Sequence, residues 1–149
     1  MTRVAAIDCG TNSIRLLVAD GHIGEDGRPH LCDLTRQMRI VRLGQGVDAR
    51  GYLDPAAIER TVEAVVEYQR MIEALGATST RFVATSATRD ASNSADFVRQ
   101  IKAIIGVEPE VVVGTEEASL SFNGAVSGLG ESVTAPMLVV DIGGGSTEL

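Results

Sequence analysis

Two segments of the sequence place an aspartate and a turn of small residues directly after an apolar run. The first reads Ile-Asp-Cys-Gly-Thr-Asn-Ser at residues 7–13, and the second reads Val-Asp-Ile-Gly-Gly-Gly-Ser-Thr at residues 140–147. Glycine lets several backbone N–H groups approach one anion, and the hydroxyl and amide side chains add donors. An aspartate would repel a phosphate unless a cation lay between them, and Mg²⁺ is bound by this mixture of carboxylate and phosphate oxygens.

The matched order of the two turns favours a shared function. One such turn alone is most simply a hairpin in which aspartate acts as an ordinary turn former. Two of them on opposite sides of a cleft would hold a phosphate chain between them. The pair therefore predicts a phosphate site that includes a divalent cation.

Two further charged features leave alternatives open. Glu116 and Glu117 lie at a predicted helix start, where a carboxylate can orient and deprotonate a water or simply interact favourably with the helix dipole. Arg89 follows a predicted strand, where a guanidinium can bind phosphate through two hydrogen bonds or form a surface ion pair with Asp90.

The elements that must position these residues alternate between strands and helices. Asp54, Pro55 and Gly76 bound one clear helix, and Ser94 is the predicted cap of the next. We expect loops at residues 20–29 and 86–93, an irregular segment at 44–54 and a small-residue connection at 126–135. The predicted helices cover residues 55–75, 94–105 and 115–124. The predicted strands cover residues 3–8, 14–19, 31–43, 81–85, 109–113 and 137–142, which indicates an α/β domain with a mixed sheet.

Composition excludes several classes of function. The 149 residues are 44% hydrophobic and 22% charged, as expected for one globular domain of roughly 150 residues. Thirteen basic and twenty acidic residues give a net charge of −7, which argues against binding to nucleic acid or to an anionic membrane. From the sequence we expect neither a leader nor a membrane-spanning segment. Because Cys9 and Cys32 form no metal-binding motif, we expect reduced thiols in a cytoplasmic protein.

The chain resembles the exopolyphosphatase/guanosine pentaphosphate phosphohydrolase (Ppx/GppA) family. Five segments carry the resemblance in the family's order, and the Ala-Thr-Ser-Ala-Thr-Arg and Glu-Glu-Ala segments separate it from the wider actin, Hsp70 and sugar-kinase superfamily. They are residues 6–17, 41–47, 84–93, 114–118 and 140–149. The resemblance implies an actin-like, ribonuclease-H-like lobe with a mixed five-stranded sheet, flanking helices and the order β-β-β-α-β-α-β. It also implies Mg²⁺-assisted hydrolysis of a terminal phosphoanhydride.

The resemblance also implies roles for individual residues. Glu117 is the expected general base, with Glu116 as the alternative. The metal is assigned to Asp8, Asp141 and Glu148, of which Asp141 and Glu148 also correspond to positions that orient the water. The terminal phosphate is assigned to Gly10, Thr11, Asn12, Ser13, Arg89, Gly143, Gly144, Gly145 and Ser146. Arg15 is a weaker candidate.

Family members contain at least one more lobe. We therefore expect residues 1–134 to form the N-terminal lobe and residues 135–149 to begin the second, with the strand at 137–142 lacking its sheet partners. The site would lie between the lobes, so this chain alone is expected to be inactive. The intact protein is expected to be a homodimer.

Three functions remain open at the level of sequence. The first is hydrolysis of inorganic polyphosphate or, alternatively, of guanosine pentaphosphate. The second is a non-catalytic lobe that senses phosphate compounds or nucleotides, which the retained carboxylates argue against. The third is a sugar or acetate kinase, which the Glu-Glu-Ala segment disfavours.

Overall fold

A mixed five-stranded sheet organises the molecule. The computed structural model describes residues 1–25, 27, 29–127 and 136–149. The strand order is β3-β2-β1-β4-β5, with β1 antiparallel to β2 and parallel to β4. The strands of this sheet are β1 Thr2–Cys9, β2 Ser13–Ile23, β3 Pro29–Ile40, β4 Ser79–Ala84 and β5 Glu110–Val111. The helices are α1 Val47–Arg50, α2 Pro55–Leu75, α3 Ser86–Arg89, α4 Ser94–Ile105 and α5 Gly114–Ser127. A separate hairpin joins β6 Asp141–Ile142 to β7 Thr147–Glu148.

One face of the sheet carries the hydrophobic core. Side chains alternate between the two faces of a strand, so Ile7 and Phe82 are buried while Asp8 lies on the other face and is half exposed. Helices α2 and α4 cover the buried face, and Tyr68 of α2 donates a hydrogen bond to Ile14 O at 3.0 Å. The opposite face of β1 and β2, which carries Asp8 and Arg15, is thereby left for the functional site.

Helix α2 begins and ends where its local signals predict. The Asp54 carboxylate accepts a hydrogen bond from Ala56 N at 2.9 Å, and Pro55 occupies the first helical position. Gly76 ends the helix with a left-handed φ of 70°, a conformation that glycine adopts without steric cost. These local contacts explain why the predicted bounds of this helix, residues 55–75, agree with the observed ones.

Several predicted boundaries were wrong. The loop expected at 20–29 is shorter, because Gly21–Ile23 continues β2 and pairs with Pro29–Leu31. The strand expected at 137–142 is limited to Asp141–Ile142, since only these two residues find a partner strand, β7. Short helices occupy part of the irregular segment and of the polar loop, and the strand at 109–113 shrinks to two residues. The connection at 126–135 lies outside the described residues after Ser127, which ends α5.

The mixed α/β fold itself is confirmed. No helix within the described ranges has the length and apolar composition needed to span a bilayer. Cys9 and Cys32 are both free thiols, the first buried and the second exposed.

Asn93 fixes the segment before α2 to the start of α4. Its side chain accepts a hydrogen bond from Leu53 N at 2.8 Å and donates one to Leu53 O at 3.0 Å. Asn93 thus occupies the position before α4 that was predicted for Ser94, which is instead the first helical residue. Leu53 is fully buried, so loss of this side chain leaves two buried backbone groups without their hydrogen-bond partners.

We therefore expect Asn93→Ala to lower the free energy of unfolding by about 2 kcal/mol. Asn93→Asp retains the acceptor but loses the donor, so it should fall between wild type and Asn93→Ala at neutral pH. Urea denaturation of the three proteins measures the difference. Equal stability of wild type and Asn93→Ala would contradict a structural role for these two hydrogen bonds.

Candidate active site

The first glycine turn lies where the parallel strands β1 and β4 end. Ligands of open α/β sheets bind beyond the carboxyl ends of such strands. Thr85 N donates to Cys9 O at 3.2 Å, which ties the residue after β4 to the end of β1. Gly10 N donates to Ser13 O at 3.0 Å, so Thr11 and Asn12 form the tip of a tight hairpin between β1 and β2.

The segment after β3 holds this tip in place. Asn12 O accepts hydrogen bonds from the backbone N–H groups of Val41 and Arg42 at 3.0 and 2.9 Å, and Thr11 O accepts one from Gly44 at 2.9 Å. Arg42 adopts a left-handed φ of 50°, which is uncommon for a non-glycine residue. The carbonyl groups of the turn therefore point toward this segment and are fixed by it.

The second turn repeats the hydrogen bond of the first. Gly143 N donates to Ser146 O at 2.9 Å, and Asp141 pairs with Glu148 across the hairpin. The sequence similarity between residues 7–13 and 140–147 thus corresponds to two hairpin turns closed in the same way.

The tips of the two turns face each other in direct contact. A Cβ on Gly145 would lie 2.8 Å from Thr11 Oγ1 and 2.9 Å from Ser86 Oγ, and one on Gly144 would overlap the Asn12 amide. Thr11 and Ser86 are joined by a hydrogen bond of 2.9 Å between their hydroxyl oxygens. Only glycine allows the second turn to approach this closely.

A cavity of about 520 Å³ lies beside the facing turns. Its walls come from β1, β2, β4, the two turns and α5. The predicted site residues that line it are Asp8, Gly10, Thr11, Asn12, Ser13, Glu117, Asp141, Gly143, Gly144 and Ser146, together with the weaker candidate Arg15. Of the other predicted site residues, all of which the structure describes, the lining excludes Glu116, Arg89, Gly145 and Glu148.

The carboxylates of the cavity influence one another. Burial and the charge of Asp141 raise the pKa of Asp8, against the opposing effect of Arg15, which lies 3.5 Å away. Burial raises the pKa of Glu117, and the charge of Glu148 raises it further. Asp141 and Asp8 also raise it, so four carboxyl groups from different elements share one electrostatic environment.

Glu117, the preferred candidate for the base, is directed into the cavity and Glu116 is not. The Glu117 side chain is 16% exposed, and its Oε2 is buried without a hydrogen-bond partner among the described residues. Glu116 is 49% exposed and lies 3.6 Å from Arg81. The Glu117 carboxylate lines the cavity and makes no hydrogen bond through Oε2 to any residue that the structure describes, so it keeps acceptor capacity for a bound water.

Arg89 lies beside Glu117. Its Nη1 donates to Val112 O at 3.0 Å and lies 3.8 Å from Glu117 Oε2, while its Nε lies 3.4 Å from Asp90. Its positive charge opposes the rise in the pKa of Glu117. The ion pair with Asp90 that the sequence left open is therefore formed.

The donor set fits a divalent cation held by few protein oxygens. Glu148 is 8% exposed and its Oε2 has no hydrogen-bond partner in the described part of the chain, while Asp141 accepts a hydrogen bond from Ser121 Oγ. No three His, Cys, Asp or Glu side chains among the described residues converge into a cage for a metal. One or two carboxylates completed by waters and phosphate oxygens are the usual Mg²⁺ environment.

Four polar lining residues were not assigned roles from the sequence. Thr85 and Ser86 follow β4, and their position after a parallel strand was a usable signal. Arg81 and Ser121 had no local signal, because only the packing of β4 and α5 brings them to the cavity.

Comparison with known proteins establishes the family. The model of the Ppx/GppA phosphatase family matches residues 22–149. The chain belongs to the Ppx/GppA phosphatase family. It is 52% identical over its full length to Exopolyphosphatase 2 of Mycobacterium tuberculosis, of which it covers 48%. The chain thus spans about half the length of this curated relative.

Solved structures of the same family share the fold. An exopolyphosphatase from Cytophaga hutchinsonii superposes with a TM-score of 0.85 at 30% identity, covering 98% of this chain and 45% of that one. A Ppx/GppA family member from Aquifex aeolicus superposes with a TM-score of 0.80 at 33% identity, covering 98% and 45%. The predicted actin-like lobe is thereby confirmed.

Proposed function

We propose that this chain is the N-terminal lobe of an exopolyphosphatase that hydrolyses the terminal phosphate of inorganic polyphosphate. The observation that carries the proposal is the meeting of the two glycine turns beside the largely buried carboxylate of Glu117, which lines the same cavity. The turns supply donors for a phosphate, and the carboxylate supplies an acceptor for the proton of a water. Relatives that carry the exopolyphosphatase name support this choice of substrate.

In the proposed reaction, a water oxygen forms a bond to the terminal phosphorus and the bridging P–O bond breaks. The products are orthophosphate and a chain shortened by one phosphate. Glu117 accepts the proton of the water, and the N–H groups of the two turns hold the phosphate oxygens. Phosphoryl transfer depends mainly on positioning and on neutralisation of charge, so no covalent nucleophile is required.

Asp8 and Asp141 are the proposed ligands of a divalent cation, with Glu148 beside them. Mg²⁺ bound there would reduce repulsion between the phosphate oxygens and these carboxylates. Ser121 has a positioning role in this proposal. Its hydroxyl donates a hydrogen bond to Asp141 and so fixes the carboxylate that would hold the cation.

The lobe boundaries remain part of the proposal. We assign residues 1–134 to the first lobe and residues 135–149 to the start of a second. Because the opposite wall of the cleft would come from that second lobe, the 149-residue chain alone should be inactive. A homodimer and a cytoplasmic location also remain predictions.

Phosphate release by the full-length gene product tests the function. Long-chain polyphosphate and guanosine pentaphosphate are compared with Mg²⁺ at equal concentrations of terminal phosphate. A preference for polyphosphate supports the proposal. A preference for guanosine pentaphosphate would mean that the nucleotide, and not polyphosphate, is the substrate. Binding without release from either would favour a sensor.

The raised pKa of Glu117 predicts the acid limit of the activity. A general base works when deprotonated, so kcat/KM should fall as the pH is lowered through a pKa above that of an ordinary glutamate. Arg89 lowers this pKa, so Arg89→Gln should move the acid limb to higher pH. Profiles of both proteins against pH measure the shift. If the acid limb of the profile does not move in Arg89→Gln, a group other than Glu117 determines the acid limit of the activity.

A further inference from the structure

Arg81 lines the cavity but has no task in the proposed hydrolysis. It lies on β4, 45% exposed, and its guanidinium donates to both carboxylate oxygens of Glu110 at 2.6–3.1 Å. Glu116 lies on its other side at 3.6 Å. The guanidinium is therefore held at the edge of the cavity by β5 and by the first turn of α5.

The register of the sheet places Arg81 away from the phosphate turns. Asp8 pairs with Val83, and Ala6 pairs with Arg81, so Arg81 lies two residues earlier on β4. This spacing keeps Arg81 on the cavity face and about 7 Å from the level of Asp8 along the strand. A substrate whose terminal phosphate lies in the turns can extend along this face.

We propose that Arg81 binds phosphates that follow the reacting one and so determines the preference for longer substrates. A guanidinium is suited to this role because its planar fork matches two phosphate oxygens. Its present partners, Glu110 and Glu116, are about half exposed, so a phosphate in the cavity can reach the guanidinium and compete with them. The inference rests on the proposed function, because it needs a polyphosphate in the turns.

The competing explanation is a surface ion pair that only attaches β5 to β4. The two explanations differ in their dependence on substrate length. If Arg81 only stabilises the fold, its replacement should weaken the binding of all substrates equally. If Arg81 binds later phosphates, its replacement should weaken the binding of long chains alone. Arg99 provides a matched control, since it is an exposed arginine that is paired with Asp96 on α4 and does not line the cavity.

The experiment compares wild type, Arg81→Gln, Arg81→Lys and Arg99→Gln in the full-length gene product. We expect Arg81→Gln to raise KM for long-chain polyphosphate about tenfold, as for the loss of one charged hydrogen bond, with kcat unchanged. The inhibition constant of pyrophosphate, which has only one phosphate beyond the one held in the turns, should stay within about twofold. Arg81→Lys retains the charge and should recover much of the lost affinity.

Two results would overturn the assignment. In the first, Arg81→Gln behaves like Arg99→Gln. In the second, Arg81→Gln loses affinity for long-chain polyphosphate and for pyrophosphate to the same extent. If wild type releases no phosphate from any substrate, the proposed function fails separately. Titration of long-chain polyphosphate onto the same proteins then still decides whether Arg81 binds it. If Arg81→Gln does not fold, Arg81→Lys replaces it: because lysine lacks the planar fork, a smaller loss for long chains is still expected. An equal change in the inhibition constant of pyrophosphate would reject the subsite.

Discussion

Glu117→Gln should reduce kcat of the full-length protein about 1,000-fold while leaving substrate affinity nearly unchanged, as expected for the loss of a general base. Gln has the shape of Glu but does not accept a proton, so the phosphate contacts of the two turns are retained. Steady-state phosphate release gives kcat, and a binding titration with polyphosphate gives the affinity.

The stability of the same variant provides an independent check. Burial and neighbouring carboxylates raise the pKa of Glu117 in the folded state, so the folded protein binds more protons than the unfolded one near that pKa. The contribution of Glu117 to stability therefore falls as pH rises from the unfolded pKa through the folded one. Replacing it by neutral Gln should leave the protein at least as stable at pH 7, which separates lost chemistry from lost folding.

Glu116→Gln is the comparison that distinguishes the two adjacent glutamates. Glu116 is half exposed beside Arg81, so its loss should lower kcat by no more than about tenfold. If Glu116→Gln lost more turnover than Glu117→Gln, the base would have to be reassigned to Glu116.

The second large effect is expected from Gly145→Ala, which should lower kcat/KM about 100-fold, the order of loss associated with a misplacement of roughly 1 Å. The new methyl group would meet Thr11 Oγ1 and Ser86 Oγ at less than 3 Å, so either these hydroxyls rotate and lose their hydrogen bond or the second turn moves away from the first. The phosphate donors of the two turns would then no longer converge. Phosphate release and a binding titration measure the loss.

Gly124→Ala is the matched control for this change. Gly124 lies in α5 with open space around its Cα, and alanine is a better helix former than glycine by about 1 kcal/mol. We expect unchanged activity and equal or higher stability. Normal activity in Gly145→Ala would show that close contact between the turns is not needed for catalysis.

Local patterns were enough to predict much of the fold. Asp54, Pro55 and Gly76 determine helix α2 through contacts within a few residues. Two apolar runs joined by a tight polar turn predicted the hairpin of β1 and β2. The two glycine turns were also evident, because their residue types are needed for the turn itself. The family followed from these segments and their order.

Tertiary structure decided which charged side chains reach the cavity. Successive helix residues differ in direction by about 100°, so an adjacent pair such as Glu116 and Glu117 points to different surroundings, and only the docking of α5 determines which one is buried. Arg81 reaches the same cavity through the pairing of β4 with β1, a contact 75 residues distant in sequence (Ala6 with Arg81). Likewise, the strand predicted at 137–142 depended on partners, and its last two residues alone found one.

The sequence by itself therefore determined the Asp-containing turns, the main helices and the family, because each depends on residue type and short spacing. The tertiary structure decided that the turns meet at Gly145, that Glu117 is buried beside them and that Arg81 lines the same cavity. These three facts depend on packing between segments far apart in the chain, where solvent exclusion and charge are properties of the whole fold.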